Sequence, residues 1–477
     1  MSSWLLITNA NVIDGTGAEP RPGTSVLIEN EYIRRVGTAD SLRGEVPEPQ
    51  FLDVLDVAGK TVMPGLIDAH CHMTYGESRT QEEMDLYTGV ELRTLIAAAN
   101  AKKVLRAGVT SISQPGGSYY IGVGLREGIR SGLIEGPRMA AAGRYITTSN
   151  GLTDYYPLSV GNPEGAIGKL ENTLAGMLAE VREQVKSGVD FIKLADSPYG
   201  QWQAFTNDEM KAIADLAHQL GRRITIHARG SSEVSAAVDA GMVWIIHGNV
   251  MTDECIDKLA ASQIPLVPTL LLLANLSDWG DLCGVPDSQR NGCRRMLEKT
   301  ADTLHRAHKA GVRMVAGTDT GFSVTPYGEW HARELELMMT YAGMSALEAI
   351  RAGTKDAAVT TNLAGQVGEV AEGMYADLIV VNGDPSKNIR VLVDKRNVEV
   401  VIKGGSIIDF DAKELDTRWS HPERVMTYSL DDLTYDTVYG DGPPVGHEVP
   451  MWTREKSKDI ATDLRKRELD ARAVVDA

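Results

Sequence analysis

Cysteine is scarce in this chain of 477 residues: Cys71, Cys255, Cys283 and Cys293 are the only four. They are too few and too scattered for a disulfide framework or a cysteine-based zinc site, and a reducing, cytoplasmic setting is the expectation. Basic charge is also in short supply, since 48 Lys and Arg face 65 Asp and Glu for a net charge of −17. Phosphate recognition needs clustered cations. The densest basic run, Arg465-Lys466-Arg467, is short and flanked by acids, which argues against nucleic acid as a partner. Long apolar runs are missing as well. The stretch from Leu266 to Leu276 is broken by Pro268 and falls short of the ~20 residues of a spanning helix, so no membrane is expected. The start, MSSWLLITNANVIDG, lacks the basic region and apolar length of a secretory signal.

What remains is the composition of a folded protein, 43% apolar and 24% charged. At roughly 100–200 residues per domain the length allows two to four domains, or one large barrel with an accessory module. Residues 4 to 60 read as short strands with turns (WLLITNANVIDGTG, SVLIENEYIRRVG, FLDVLDVAGKTVMPG), and the same texture returns in GQVGEVAEGMYADLIVVNGDP and VEVVIKGGSIIDF. These two flanks suggest one small sheet domain assembled from both, a composite β-sandwich of residues 1–60 plus 360–411.

Between them, short β-branched runs alternate with amphipathic stretches of helical period. Eight candidate strands are TVMPGLIDAH, GVTSISQ, PRMAAAGRYIT, GVDFIKLAD, RRITIHA, WIIHGN, IPLVPTLLL and VRMVAGTD. The pattern predicts an α/β fold, a (β/α)8 TIM barrel over residues 61–359. The long gaps at 73–107 and 148–185 are read as insertions or loops at its mouth.

The titratable residues then fall into place. His70 and His72 end the first strand, Lys193 the fourth, His227 the fifth, His247 the sixth and Asp319 the eighth. That end of a barrel carries the active site, and the i, i+2 spacing aims His70 and His72 the same way. Imidazole suits zinc and neighbouring transition metals, and a carboxylate completes a hydrolytic site. A single histidine at a strand end is commonly structural; six such residues sharing one rim are a site. His218, His305 and His308 lie on helical stretches and His421 and His447 in the tail, all read as solvated or structural. His331, in EWHARELELM, is read as a structural residue at the start of a helix.

Lys193 sits among Phe191, Ile192, Leu194 and Ala195, where burial lowers the pKa of an unpaired ammonium. A neutral lysine amine adds carbon dioxide, and the carbamate, N6-carboxylysine, is an anion able to bridge two divalent metals.

Together the motifs PGLIDAHCH, RAGVTSI, DFIKLAD, TIHARG, IIHGN, AGTDTG, MSALEAIRAGTKDAA and GEVAEGMYADLIVVNGDP resemble the amidohydrolase superfamily, specifically its imidazolonepropionase-like and prolidase-like dipeptidase branch, over about residues 1–410. The resemblance implies two divalent metal ions, zinc first, with manganese or cobalt as alternatives. His70 and His72 would hold the more buried ion and His227 and His247 the more exposed one, with carboxylated Lys193 as the bridge. Asp319 would bind the buried ion and act as the catalytic proton shuttle for attack by metal-generated hydroxide. It implies a small-molecule substrate and a homo-oligomer.

Two departures bear on substrate. Many relatives carry a histidine after the third strand; here the region reads YITTSNGLTDYYP, with no histidine between His72 and His218. Asn150, Tyr155 and Tyr156 are the candidate replacements. Ser113-Gln114 stands where Arg-Asp is common. Arg229, two residues after His227, is the candidate partner for a substrate carboxylate. The expected reaction is cleavage of an amide-type C–N bond in an N-acyl amino acid or dipeptide. The alternatives are a urea, carbamate or aryl-amide hydrolase, a cyclic amidohydrolase or deaminase, and, in another class, a catalytically silent metal-binding scaffold. Residues 412–477 fall outside the resemblance and carry Trp419, Tyr428, Tyr435, Tyr439 and Trp452, which suggests an arm packing on this subunit or on a neighbour.

Overall fold

The computed structural model describes residues 3–410, 428–429 and 432–440. In chain order its strands are β1 (Trp4–Val12), β2 (Arg21–Glu29), β3 (Tyr32–Gly37), β4 (Leu52–Asp56), β5 (Thr61–Pro64), β6 (Leu66–Asp68), β7 (Val109–Gln114), β8 (Arg138–Ala141), β9 (Tyr145–Thr147), β10 (Gly168–Leu170), β11 (Phe191–Ala195), β12 (Arg223–Gly230), β13 (Trp244–Val250), β14 (Leu266–Val267), β15 (Leu378–Val381), β16 (Val398–Lys403) and β17 (Ser406–Ile407).

The flanks do combine. One eight-stranded sheet runs β17-β16-β15-β5-β1-β2-β3, with β4 also paired to β1. Alternation along β1 sends Leu5 and Ile7 to one core and Trp4 and Leu6 to another, on the opposite face, and the register shift past Ile7 turns Ala10 and Val12 to the first. The join with the middle of the chain differs from the sequence expectation. TVMPGLIDAH is not one strand: β5 is locked between β1 and β15, and the chain turns away at Gly65 to start β6. A Cβ at Gly65 would lie 2.2 Å from the Thr110 side chain, so only glycine lets β6 settle against β7.

The middle holds two parallel sheets, β6-β7-β8 and β10-β9-β11-β12-β13-β14, among helices. These strands read as unbroken apolar runs because both faces are covered; FIKLA of β11 is buried throughout. The helices start on recognisable caps. Thr206 and Glu209 form a capping box on Asn207–Gln219, and Thr252 caps Asp253–Ser262. Both long gaps carry helices, Val90–Arg106 and Leu174–Lys186, in addition to loop.

Three expected strands are altered. PRMAAAGRYIT divides into β8, which pairs with β7, and β9, which pairs with β10 and β11, so this one segment belongs to both sheets. IPLVPTLLL gives only β14 before helix Leu271–Trp279 begins, since Pro268 ends the pairing. VRMVAGTD makes a single isolated bridge, Met314 to Leu266; the left-handed backbone at Asp319, φ 59°, breaks its extended course. Its hydrogen bonds nonetheless span the sheets. Leu266 N–H donates to the Arg313 carbonyl at 2.8 Å, and Ala69 N–H to the Ala316 carbonyl at 3.0 Å.

Among the described residues no helix is long and apolar enough to cross a membrane. None of the four cysteines is joined in a disulfide.

Candidate metal centre

Both histidines of HCH are buried and point at one spot. His70 Nδ1 lies 2.9 Å from Thr269 Oγ1, and His72 Nδ1 lies 2.8 Å from the Gly116 carbonyl oxygen. A carbonyl only accepts, so Nδ1 of His72 carries the proton and donates it, which leaves the Nε2 lone pair free. Thr269 Oγ1 is also 3.4 Å from the Val267 carbonyl; donating there, it accepts from His70 Nδ1 and fixes the same tautomer. The two Nε2 atoms are 2.9 Å apart and lie 3.4 Å (His70) and 3.2 Å (His72) from Asp319 Oδ1. Orientation by the far ring nitrogen is how metal-binding imidazoles are held.

His247 joins this cluster, its ligand atom within 4.8 Å of those of His70 and Asp319. The rings of His227 and His247 are 4.3 Å apart. His227 Nε2 and His247 Nδ1 are buried with no hydrogen-bond partner. Orphaned buried nitrogens are costly, and a cation is the partner that would satisfy them. Burial, the largest cause, holds His70, His227 and His247 well below the usual imidazole pKa, so near neutral pH they are neutral ligands. Burial would raise the Asp319 carboxyl, but His70, His72 and Arg229 outweigh it and hold it below its usual value. Lys193 is buried, has no ion-pair partner among the described residues, and ends 5.5 Å from the Tyr145 ring centroid. Burial pushes its pKa down to about 7 against the opposing pull of Asp319. Such an amine is in part neutral at physiological pH. Four imidazoles, a carboxylate and a lysine free to become an anion fit divalent metal ions.

Backbone strain is present here. His247, Thr269 and Asp319 adopt left-handed φ of 86°, 54° and 59°, each costing on the order of 1–3 kcal/mol. Asp68 braces the turn, accepting from the backbone N–H of His70 at 2.9 Å and of Thr318 at 3.0 Å. His331 completes that brace. Gly328 N–H donates to its Nε2 at 3.2 Å, so Nδ1 carries the proton given to Asp68 at 2.7 Å. Hydrogen bonds from His331 and Thr318 overcome burial and keep Asp68 ionised. His331 thus braces, through Asp68, the turn that presents His70 and Asp319.

The substrate-contact residues expected from sequence are separated by the structure. Asn150 is exposed, its carbonyl accepting from Trp202 Nε1 at 3.1 Å. Tyr156 is partly buried, its hydroxyl 3.3 Å from Oδ2 of the buried Asp85. Tyr155 keeps its place at the mouth: its hydroxyl and the Arg229 guanidinium lie within electrostatic reach of each other. Arg229 is there too, with Nη1 2.5 Å from Asn249 Oδ1 and a buried Nε without a partner. The residue that reaches the histidines is Tyr145, on β9, with its hydroxyl 3.1 Å from the ring nitrogens of His72 and hydrogen-bonded to Tyr75. The sequence marks it only as a strand residue, at the end of the third expected strand and just before SNGLTDYYP. Gly116 makes room for it, since a Cβ there, at φ 125°, would lie 2.1 Å from the Tyr145 ring.

This arrangement can be compared with known proteins. Residues 61–408 match the model of the amidohydrolase family. The chain belongs to the amidohydrolase family. Membership makes it a hydrolase of carbon–nitrogen bonds, in a superfamily whose members typically use a metal centre. Among curated relatives of this amidohydrolase, ochratoxinase of Aspergillus niger is 26% identical over 437 residues, covering 83% of this chain and 85% of the relative. Imidazolonepropionase of Geobacillus kaustophilus is 26% identical over 432 residues, with 82% and 91% covered. A solved Xaa-Pro dipeptidase with bound methionine in its active site is 28% identical with a TM-score of 0.74, covering 85% of this chain and 100% of that one.

Proposed function

We propose that this amidohydrolase is metal-dependent and hydrolyses the amide C–N bond of an N-acyl amino acid or dipeptide. The observation that carries the reading is the convergence of the His70 and His72 Nε2 atoms on Asp319 beside the unpartnered nitrogens of His227 and His247. In this reading the two parallel sheets are one (β/α)8 barrel, closed where residues 313–320 hydrogen-bond to both, and the eight-stranded sheet belongs to a composite β-sandwich of residues 1–60 and 360–411, to which β5 is added.

His70, His72 and Asp319 would hold one divalent ion and His227 and His247 a second, with Lys193, once carboxylated, as a further anionic ligand and zinc the first choice over manganese or cobalt. When bound, the ions supply Lewis acidity and an acidified water. The chain supplies the rest. Asp319 accepts a proton from the attacking water and returns it to the leaving nitrogen, so that water adds across the C–N bond and yields a carboxylic acid and an amine. The Tyr145 hydroxyl donates to the carbonyl oxygen as it gains charge. Arg229, with one arm held by Asn249, pairs with the substrate carboxylate. Likeness to a Xaa-Pro dipeptidase supports a dipeptide or N-acyl amino acid; an aryl amide is the second reading, favoured by the aromatic side chains around His72.

Purified protein reconstituted with zinc, manganese or cobalt and bicarbonate should hydrolyse N-acyl amino acids or dipeptides in a panel that also includes aryl ureas, carbamates and lactams. Protein that contains no transition metal when prepared without chelators, and gains no hydrolytic activity on reconstitution, would refute the reading.

A further inference from the structure

The C-terminal extension lies beyond residues 61–408 that match the family, yet its described pieces dock on the loop that follows Asp319. Leu433 N–H donates to the Ser323 carbonyl at 3.0 Å, and the Trp330 indole N–H donates to the Leu433 carbonyl. The Ser429 and Ser323 hydroxyls bond to each other, and Tyr435 N–H donates to Glu329 at 3.0 Å. The short helix Tyr435–Tyr439 packs its rings against Trp330 and Trp279.

These anchors set the position of Tyr428. Its hydroxyl donates to Gln81 Oε1 at 2.9 Å, and its ring centroid is 4.8 Å from that of Phe322. Phe322 is 5.0 Å from Tyr75, which stacks on His72 at 4.2 Å with the planes 10° apart. A continuous row of rings therefore leads from the extension to an imidazole of the candidate metal centre. Tyr428 is only half-buried, and it shares this apolar cluster with the partly buried Leu152, Leu272 and Cys293. Arg229 lies within electrostatic reach of Cys293 in this cluster, and Tyr155 within reach of both Arg229 and Tyr428. Arg229 rises from β12, whereas Tyr75 and Phe322 follow β6 and Asp319.

We propose that Tyr428 is a specificity-determining residue, forming with Phe322 and Tyr75 the wall that selects an aromatic or bulky apolar acyl group. The inference rests on the amidohydrolase reading above, in which Arg229 holds the carboxylate of the leaving amino acid. The acyl group then lies across the scissile C–N bond from Arg229, on the side of the rings. Aromatic rings favour offset or edge contacts with other rings, which an acetyl group cannot make. The element that sets acyl preference is therefore supplied from outside the family domain.

The test compares wild type, Tyr428→Ala and Tyr428→Phe in the full-length metal-loaded protein, using N-phenylacetyl and N-acetyl derivatives of one amino acid. Tyr428→Ala should lower kcat/KM for the phenylacetyl substrate about tenfold and leave the acetyl substrate within about threefold; Tyr428→Phe should keep the wild-type ratio. Direct titration with phenylacetate and acetate, which needs no turnover, should show the same loss of discrimination in Tyr428→Ala, with its thermal unfolding midpoint measured alongside. An unchanged ratio in both assays overturns the role of Tyr428, as does an equal loss for both ligands. A Phe variant that behaves like Ala overturns the aromatic wall by assigning the effect to the Gln81 hydrogen bond. Wild type that hydrolyses neither substrate counts against the N-acyl amino acid reading alone, and the titration still decides the role of Tyr428.

Discussion

The eight-stranded sheet and the histidine-bearing ends of the parallel strands treat buried polar groups in opposite ways. In the sheet, Leu6, Ile7, Val12, Val26 and Leu27 are fully enclosed and the backbone is satisfied by regular pairing. At the strand ends, histidines, a lysine and an aspartate are buried as well, and two imidazole nitrogens lack partners. Burial without partners destabilises a fold unless something else binds there. The first region is organised for stability, and the second carries features that stability alone does not explain.

The sharpest way to break that contrast is to change chemistry without changing shape. Asp319→Asn keeps the side-chain volume but removes the group that accepts and returns the proton; kcat should fall by about 10³-fold, with bound metal measured by elemental analysis. Near-normal turnover would exclude the proton role. Lys193→Ala should also reduce activity to background, and bicarbonate with short-chain carboxylic acids should restore part of it by supplying the missing anion. Failure of any carboxylate to rescue a folded variant would count against a carbamate ligand.

The same contrast explains what could be read from sequence. FIKLAD, TIHARG and IIHGN are apolar strand ends with few polar residues, so Lys193, His227 and His247 stood out, and the flanking strands announced a common sheet by their alternation. The mouth was less legible. The course of residues 148–166 depends on partners far away in the chain, as when Tyr156 meets Asp85 and Asn150 meets Trp202, and no local pattern encodes such meetings. Tyr145 and Thr269 were hidden inside apolar stretches as ordinary strand residues. Asp68 stood in plain view in the LIDAH stretch, but its work, bracing Thr318 and His331, joins residues some 250 positions apart. Trp419, Trp452 and the charged stretch SKDIATDLRKRELDARAVV, together with His421 and His447, lie outside the described residues.

In the sheet the corresponding cut should affect stability alone. Ile7→Ala removes a fully buried side chain and should cost about 2–5 kcal/mol in chemical denaturation, with kcat unchanged in the remaining folded protein. A loss of kcat in that folded fraction would show that the two regions are coupled. A smaller effect is expected from Thr269→Val, which removes the acceptor for His70 Nδ1 and should weaken metal binding about tenfold to a hundredfold, as read by competition with a chromogenic chelator.

The last effect concerns pH. Lys193 is held at about 7 in the folded chain against an ordinary 10.5, so between those values the unfolded chain binds the additional proton. Where the unfolded state binds more protons, stability rises with pH. Below about 7 both states are charged and the full cost of burying the ammonium is felt; that cost is relieved as pH climbs toward 10.5. Metal-free protein freed of carbon dioxide should therefore gain stability toward alkaline pH, by at most about 1.4 kcal/mol per pH unit from this one group. Lys193→Met, which keeps the bulk and removes the charge, should flatten that part of the profile and be more stable than wild type near pH 7. An identical alkaline slope in the two proteins would mean that Lys193 is not the buried, unpaired ammonium that sets the site apart from the sheet.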